Sequence, residues 1–146
     1  ADASPNHQWI SESFSEVASI FAIEKLKSKA EGQNLAAVWK SAAKESTKAA
    51  PIYLANELAS KISTQWDESV ELDRINLVYS KGAFLLLTLR EELGDDLFFT
   101  VLRSFLKSFA KRQNATTDEF AAFLAFVTKK DWKPWFEKYY YGTEMP

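Results

Sequence analysis

Apolar side chains recur every three to four positions along most of the chain, whereas stretches that alternate between apolar and polar residues are scarce. In the first stretch, for example, Ile10, Phe14, Val17 and Phe21 share one face of a helix. Only 4 glycines and 4 prolines interrupt the chain. The pattern predicts an all-α protein folded as a compact multi-helix bundle, with helices over residues 6–29, 34–50, 79–94, 95–109, 116–127 and 132–141.

Signals for helix ends refine this prediction. Residues 83–89 are apolar on all sides, which is typical of a helix at the centre of a bundle. Gly94 is a candidate C-terminal cap and Asp95 or Asp96 a candidate N-terminal cap, so the two helices around them are predicted to form a tight hairpin. Residues 51–76 are the least regular part, and we expect a short helix over 52–59 followed by a long connection.

Length and composition indicate one helical domain over residues 1–146. A chain of 146 residues with 47% hydrophobic content is long and apolar enough to bury a substantial core. The helical faces predict which side chains fill that core: Phe14, Phe21, Leu87, Phe98, Val101, Phe105, Phe120 and Val127.

Charge and rare residue types exclude several classes of function. The 18 basic and 20 acidic residues leave a net charge of −2, without the positive excess that nucleic acid binding requires. Apolar runs such as residues 83–89 are far short of the roughly 20 residues that span a bilayer. There is no cysteine and one histidine, His7, so the chain holds neither a Cys-based metal site nor an HExxH zinc pair. No targeting signal is recognisable, so the sequence does not indicate a cellular compartment.

Glu12 and Glu16 are the most suggestive pair of polar residues. They lie four positions apart and therefore on one helix face, close to Trp9 and Phe14. Two carboxylates near aromatic rings can act as a glycosidase pair. The pattern alone favours a solvated acidic edge near a helix N-terminus, where the helix dipole stabilises negative charge.

Two further motifs have a structural interpretation beside a functional one. Asn114-Ala-Thr116 matches a glycosylation acceptor, but a capping box formed by Thr116 and Glu119 explains the threonine without it. The aromatic residues near the C-terminus could form a stacking surface for a sugar or a partner, although helical spacing favours packing against the core. These residues are Trp132, Trp135, Phe136, Tyr139, Tyr140 and Tyr141.

Three segments, in this order, resemble the helical second half of the catalytic domain of the gluzincin aminopeptidases, the aminopeptidase N-like zinc metallopeptidases. Trp9-Ile-Ser-Glu12-Ser-Phe-Ser15 resembles the family's W-[LI]-x-E-G-[FL]-[AST] helix. Tyr79-Ser-Lys-Gly-Ala83 and the L-R-x-x-L-G-x-x-x-F-F run after it are similar to the next family segment. Asn114-Ala-Thr-Thr, followed by Phe120 and by the aromatic C-terminus up to Pro146, resembles the end of that domain.

The resemblance implies a role for two residues. In the family, zinc is held by the two histidines of HExxH and by a glutamate on the next helix, and Glu12 matches that glutamate. Tyr79 matches the tyrosine that donates a hydrogen bond to the oxyanion of the tetrahedral intermediate. The chain departs from the family at Ser13, where glycine is usual, and it contains neither HExxH nor the G-x-M-E-N element that holds the substrate amine.

The resemblance therefore implies the helical half of a thermolysin-like catalytic domain, which is inactive alone. Its partners would be a peptide substrate and the missing N-terminal half of the domain. We expect zinc in the intact parent protein and none in this chain by itself. The alternative is a non-catalytic, peptidase-like helical scaffold that binds other proteins through its aromatic surfaces.

Overall fold

The computed structural model describes residues 8–55, 57–58, 67–109 and 115–146, and the described part is helical without any strand. The α-helices are α1 (Gln8–Leu26), α2 (Lys29–Ser46), α3 (Glu68–Ile75), α4 (Gly82–Leu93), α5 (Asp95–Phe109), α6 (Thr117–Thr128) and α7 (Lys133–Tyr139). A 3-10 helix spans Ile52–Leu54, and a π-helix spans Asn76–Lys81. The predicted all-α bundle is thus confirmed.

The first two helices meet at a short junction that the sequence analysis placed too late. We expected the second helix to start at Asn34, but α2 begins at Lys29 because the Ser28 hydroxyl caps it by accepting from the Glu31 N–H at 3.2 Å. Gly32 then lets the helices approach, since a Cβ there would lie 2.7 Å from Cγ of Glu24.

The long connection predicted up to residue 76 is wrong for its second part. Asp67 caps α3 by accepting from the N–H groups of Ser69 at 2.9 Å and Val70 at 3.4 Å. From there the chain stays helical through the π-helix and α4 to Leu93. Of the helix predicted over 52–59, the 3-10 turn is present, residues 55, 57 and 58 are helical, and residues 56 and 59 lie outside the described part.

Two further signals for helix ends are confirmed, whereas the N-terminal cap predicted at Asp95 or Asp96 is not, because α5 already begins at Asp95. Gly94 ends α4 with a positive φ of 77°, which favours glycine, and α5 follows directly. Thr116 and Glu119 form the predicted capping box at the start of α6. No helix in the described part of the chain is long and apolar enough to cross a membrane.

The core contains an aromatic cluster centred on Phe120. Its ring lies 5.0 Å from that of Phe105, 5.8 Å from Phe14 and 6.3 Å from both Trp9 and Phe136, centroid to centroid. Such edge-on pairs add about 0.5–1.5 kcal/mol each beyond the area they bury.

Half of the predicted core side chains are fully buried, and the other half are partly buried and pack against the hydrophobic core. The buried ones are Phe98, Val101, Phe105 and Phe120. The half-buried ones are Phe14, Phe21, Leu87 and Val127.

Most of the C-terminal aromatic residues belong to this core. Trp132, Trp135, Phe136 and Tyr140 are buried, whereas Tyr141 is exposed. Most of these aromatic residues therefore pack against the core, as their helical spacing indicated, and do not form an exposed stacking surface.

Candidate functional site

Glu12 lies on α1 between two residues that fix the helix in place. Trp9 is buried, and its indole N–H donates to Oγ1 of Thr117 at 2.9 Å, which ties α1 to the start of α6. Ser13 is fully buried on the same helix. Glu12 itself is half-buried, and its carboxylate accepts from Nε2 of Gln8 at 3.3 Å. The carboxylate thus stands on a rigid helix at the boundary between core and solvent.

Tyr79 lies in the π-helix, where the backbone spacing changes. The N–H of Gly82 donates to the carbonyl of Leu77, five residues back, instead of the fourth residue back as in an α-helix. This extra residue per turn shifts the side chains of the turn relative to those of α3 and α4. Single π-turns of this kind are frequent at functional sites because they redirect a side chain.

Ser13 and Gly82 lock the π-helix against α1. The Ser13 hydroxyl donates to the carbonyl of Val78 at 3.0 Å. A Cβ on Gly82 would collide with the Ser13 hydroxyl and lie 3.2 Å from Cε3 of Trp9. Because the residue after Glu12 is bonded to the residue before Tyr79, the two candidate site residues are held in one arrangement.

The structure brings Glu12 and Tyr79 together. Burial raises the pKa of the Tyr79 phenol, and the Glu12 carboxylate raises it further through its charge and through a hydrogen-bonding contact. Arg74 opposes this effect, and the more distant Glu16 adds to it slightly. The phenol consequently keeps its proton well above neutral pH and remains a hydrogen-bond donor.

Arg74 is a site residue that the sequence analysis missed. Its Nε and Nη2 donate to the two carboxylate oxygens of Glu71 at 3.0 and 2.8 Å, and this pairing is the main reason that the pKa of Arg74 is raised. The spacing of Glu71 and Arg74, three apart on α3, is the signal that could have found the pair. The spacing alone could not have shown that the Glu71–Arg74 pair lies near Tyr79.

A cavity of about 330 Å³ opens next to Tyr79. Two charged residues, two aromatic residues and two smaller residues line it: Glu16, Arg74, Trp39, Tyr79, Ile75 and Ser80. Glu12 and Glu16 were predicted to share a helix face, and the structure places both half-buried near the phenol.

Lys81, two residues after Tyr79, is completely buried. Its ammonium donates to Oγ1 of Thr47 at 2.6 Å and to the carbonyl of Gly142 at 3.2 Å. Thr47 in turn donates to the carbonyl of Thr143 at 3.1 Å. Burial lowers the pKa of Lys81 to about 8, and no ion pair of the described residues includes it. A network of hydrogen bonds to neutral oxygens thus ties the π-helix to the C-terminal segment.

The described residues do not complete a zinc site. Among them no group of three or more His, Cys, Asp or Glu side chains is placed to hold a metal ion. Glu12 is therefore one potential ligand without the others beside it. His7 and Asn114, which the sequence analysis singled out, lie outside the described residues.

In the described part of the chain, helices therefore place a carboxylate, that of Glu12, beside the phenol of Tyr79. The profile of the Peptidase family M1 domain matches residues 3–139, and the chain belongs to this family. The resemblance to the aminopeptidase N-like peptidases, whose members are in general zinc-dependent hydrolases, is thereby confirmed. No curated protein and no solved structure matches the chain.

Proposed function

We propose that this chain is the helical part of the catalytic domain of a zinc aminopeptidase and folds as a single unit. In this proposal Glu12 supplies the third zinc ligand and Tyr79 supplies the oxyanion donor. The two histidines of HExxH and the general base come from residues outside these 146, because the chain has one histidine. The chain alone is then inactive and does not hold zinc.

The contact between Glu12 and Tyr79 carries the proposal. These residues are 67 positions apart along the sequence, on different helices, yet the carboxylate is close enough to the phenol to change its pKa. A peptide whose carbonyl is attacked beside Glu12 would develop its negative charge within reach of the phenol. The resemblance of the sequence motifs implies the same roles for these two residues, and it rests on the motifs and not on this contact.

The Tyr79 hydroxyl acts on the transition state and not on the ground state. A donor aimed at an oxygen that gains charge during the reaction lowers the barrier, because its hydrogen bond strengthens as the charge develops. The raised pKa of Tyr79 suits this task, since the phenol must keep its proton to donate. The bond between Ser13 and Val78 fixes the turn that carries the phenol, which spares the cost of ordering it during the reaction.

Comparison of two substitutions in the intact parent protein tests the proposal. Glu12→Gln removes a charged ligand, so we expect both the zinc content and the peptidase rate to fall. Glu31→Gln, on the exposed side of α2, removes the same charge and is expected to change neither. Unchanged zinc content in Glu12→Gln would overturn the assignment of the ligand.

The sequence of the parent gene upstream of Ala1 tests the domain assignment independently. We expect an HExxH motif followed by a short spacer before Glu12. A parent without any HExxH motif would contradict the enzyme proposal and support the peptidase-like scaffold instead.

A further inference from the structure

We infer that the cavity beside Tyr79 is a subsite for a cationic side chain, an arginine or a lysine of a peptide. Its role in substrate selection rests on the proposed function, whereas the binding itself depends only on the cavity. Three observations carry the inference: an unpaired carboxylate, a cation that is already neutralised, and an aromatic wall.

Glu16 is the unpaired carboxylate. It lies on α1 one turn after Glu12, is half-buried and lines the cavity. No ion pair and no hydrogen bond of the described residues involves its side chain. A partly buried carboxylate without a partner gains most from a ligand that brings a positive charge and N–H donors.

Arg74 is the basic residue of the cavity lining, and its charge is already matched. Both carboxylate oxygens of Glu71 accept from it, in the bidentate geometry that neutralises a guanidinium best. The Arg74–Glu71 pair therefore contributes little net field, and among the lining residues the uncompensated charge is that of Glu16. The Glu16 carboxylate would repel an acidic ligand, and a neutral ligand would leave the carboxylate without an ion-pair partner.

Trp39 and Ile75 supply the apolar part of the cavity. Trp39 is 7% exposed, so its indole forms a fixed wall, and Ile75 is 38% exposed at the rim. An arginine or lysine side chain has a methylene stem that packs on such surfaces and a cationic head that is attracted by an indole ring. The volume of about 330 Å³ lies at the lower end of small-molecule pockets, which suits one side chain.

A matched pair of probes isolates the charge. N-acetyl-L-argininamide and N-acetyl-L-citrullinamide have nearly the same shape, but only the first is cationic. Each is titrated into the 15N-labelled chain, and binding is followed at the indole N–H of Trp39, assigned with Trp39→Phe. We expect the arginine probe to bind at least about five-fold more tightly than the citrulline probe, with shifts centred on Trp39 and Ile75.

Glu16→Gln tests which residue provides the preference. This substitution keeps the shape of the side chain, and we expect it to reduce the two affinities to within about two-fold of each other. The control Glu137→Gln removes the same charge from the exposed face of α7 and is expected to leave the preference intact. Equal affinity of the two probes for the wild-type chain, or a preference that survives Glu16→Gln, would overturn the inference.

This experiment needs neither zinc nor peptidase activity, so its outcome is separate from that of the proposed function. If the chain prefers the arginine probe but its parent lacks HExxH, the subsite inference is supported and the proposal of an aminopeptidase is rejected. Equal affinities in a chain whose parent is an active peptidase reject the subsite alone.

Discussion

The buried Lys81 predicts an unusual dependence of stability on pH. An ordinary lysine titrates at 10.5, whereas burial lowers the pKa of Lys81 to about 8 in the folded chain. Between these two values the unfolded chain binds more protons than the folded chain does. The free energy of unfolding must therefore rise with pH in this interval, because stability increases wherever the unfolded state holds the extra proton.

The size of the effect is set by the two pKa values. Each pKa unit corresponds to about 1.4 kcal/mol, so the full difference between 10.5 and about 8 amounts to about 3 kcal/mol. About 2 kcal/mol of this gain is expected between pH 8 and pH 10. Above pH 10 the sign reverses, because burial raises the pKa of Tyr140 to about 12 and unfolded tyrosines lose their proton earlier.

Urea unfolding at a series of pH values from 7 to 10, followed by tryptophan fluorescence, measures the rise. Lys81→Met removes the charge and keeps an unbranched side chain, so its unfolding free energy should not rise over the same interval. The exposed Lys107 on α5 provides the control, and Lys107→Met should retain the rise. Flat wild-type stability between pH 8 and pH 10, or a full rise in Lys81→Met, would refute the reasoning.

Four further predictions concern the core and the candidate site. Phe120→Ala should destabilise the isolated chain by about 3–5 kcal/mol in urea unfolding, and a loss below about 1 kcal/mol would contradict its central place in the core. Glu12→Ala should leave the chain as stable as the wild type or more stable, since a site carboxylate serves function and not folding. The isolated chain should carry no stoichiometric zinc by elemental analysis after dialysis and should not hydrolyse amino-acid arylamides. In an HExxH-containing parent, Tyr79→Phe should lower kcat by about 10²–10³ with zinc content unchanged, and a kcat within about two-fold of the wild type would reject the oxyanion role.

Helix periodicity and end signals predicted most of the fold because they are local. The boundary at Gly94 depends on one residue with a positive φ, and the start of α6 depends on Thr116 and Glu119, three positions apart. The aromatic core could be predicted from the same spacing, since a face that repeats every 3.6 residues must be buried somewhere. Both kinds of signal can be recognised without knowing which helices are neighbours.

The π-helix could not be predicted in this way. Its sequence, Asn76–Lys81, contains no glycine or proline that would mark an irregular turn. The turn is stabilised from outside, by the hydroxyl of Ser13 on α1 donating to the carbonyl of Val78. A residue 65 positions away thus bonds to the backbone next to Tyr79, and no local pattern in the sequence records that bond.

The burial of Lys81 was hidden for a related reason. Lysine is among the residues least often buried, so its position in a helical pattern indicates an exposed side chain. Here two oxygens from distant segments, Oγ1 of Thr47 and the carbonyl of Gly142, accept its hydrogen bonds. Only the folded arrangement of α2 and the C-terminal segment brings those oxygens to one place.

The packing around Ser13 explains how the chain tolerates a serine where the family motif has glycine. The gluzincin pattern has glycine at this position, and a larger side chain there must find space against the facing helix. Gly82 provides that space, because a Cβ on it would collide with the Ser13 hydroxyl. The hydroxyl then donates to the carbonyl of Val78, one residue before Tyr79. The substitution thus adds a bond between the helix that carries Glu12 and the turn that carries the phenol, so packing and one hydrogen bond inside the chain help to hold the two candidate residues side by side.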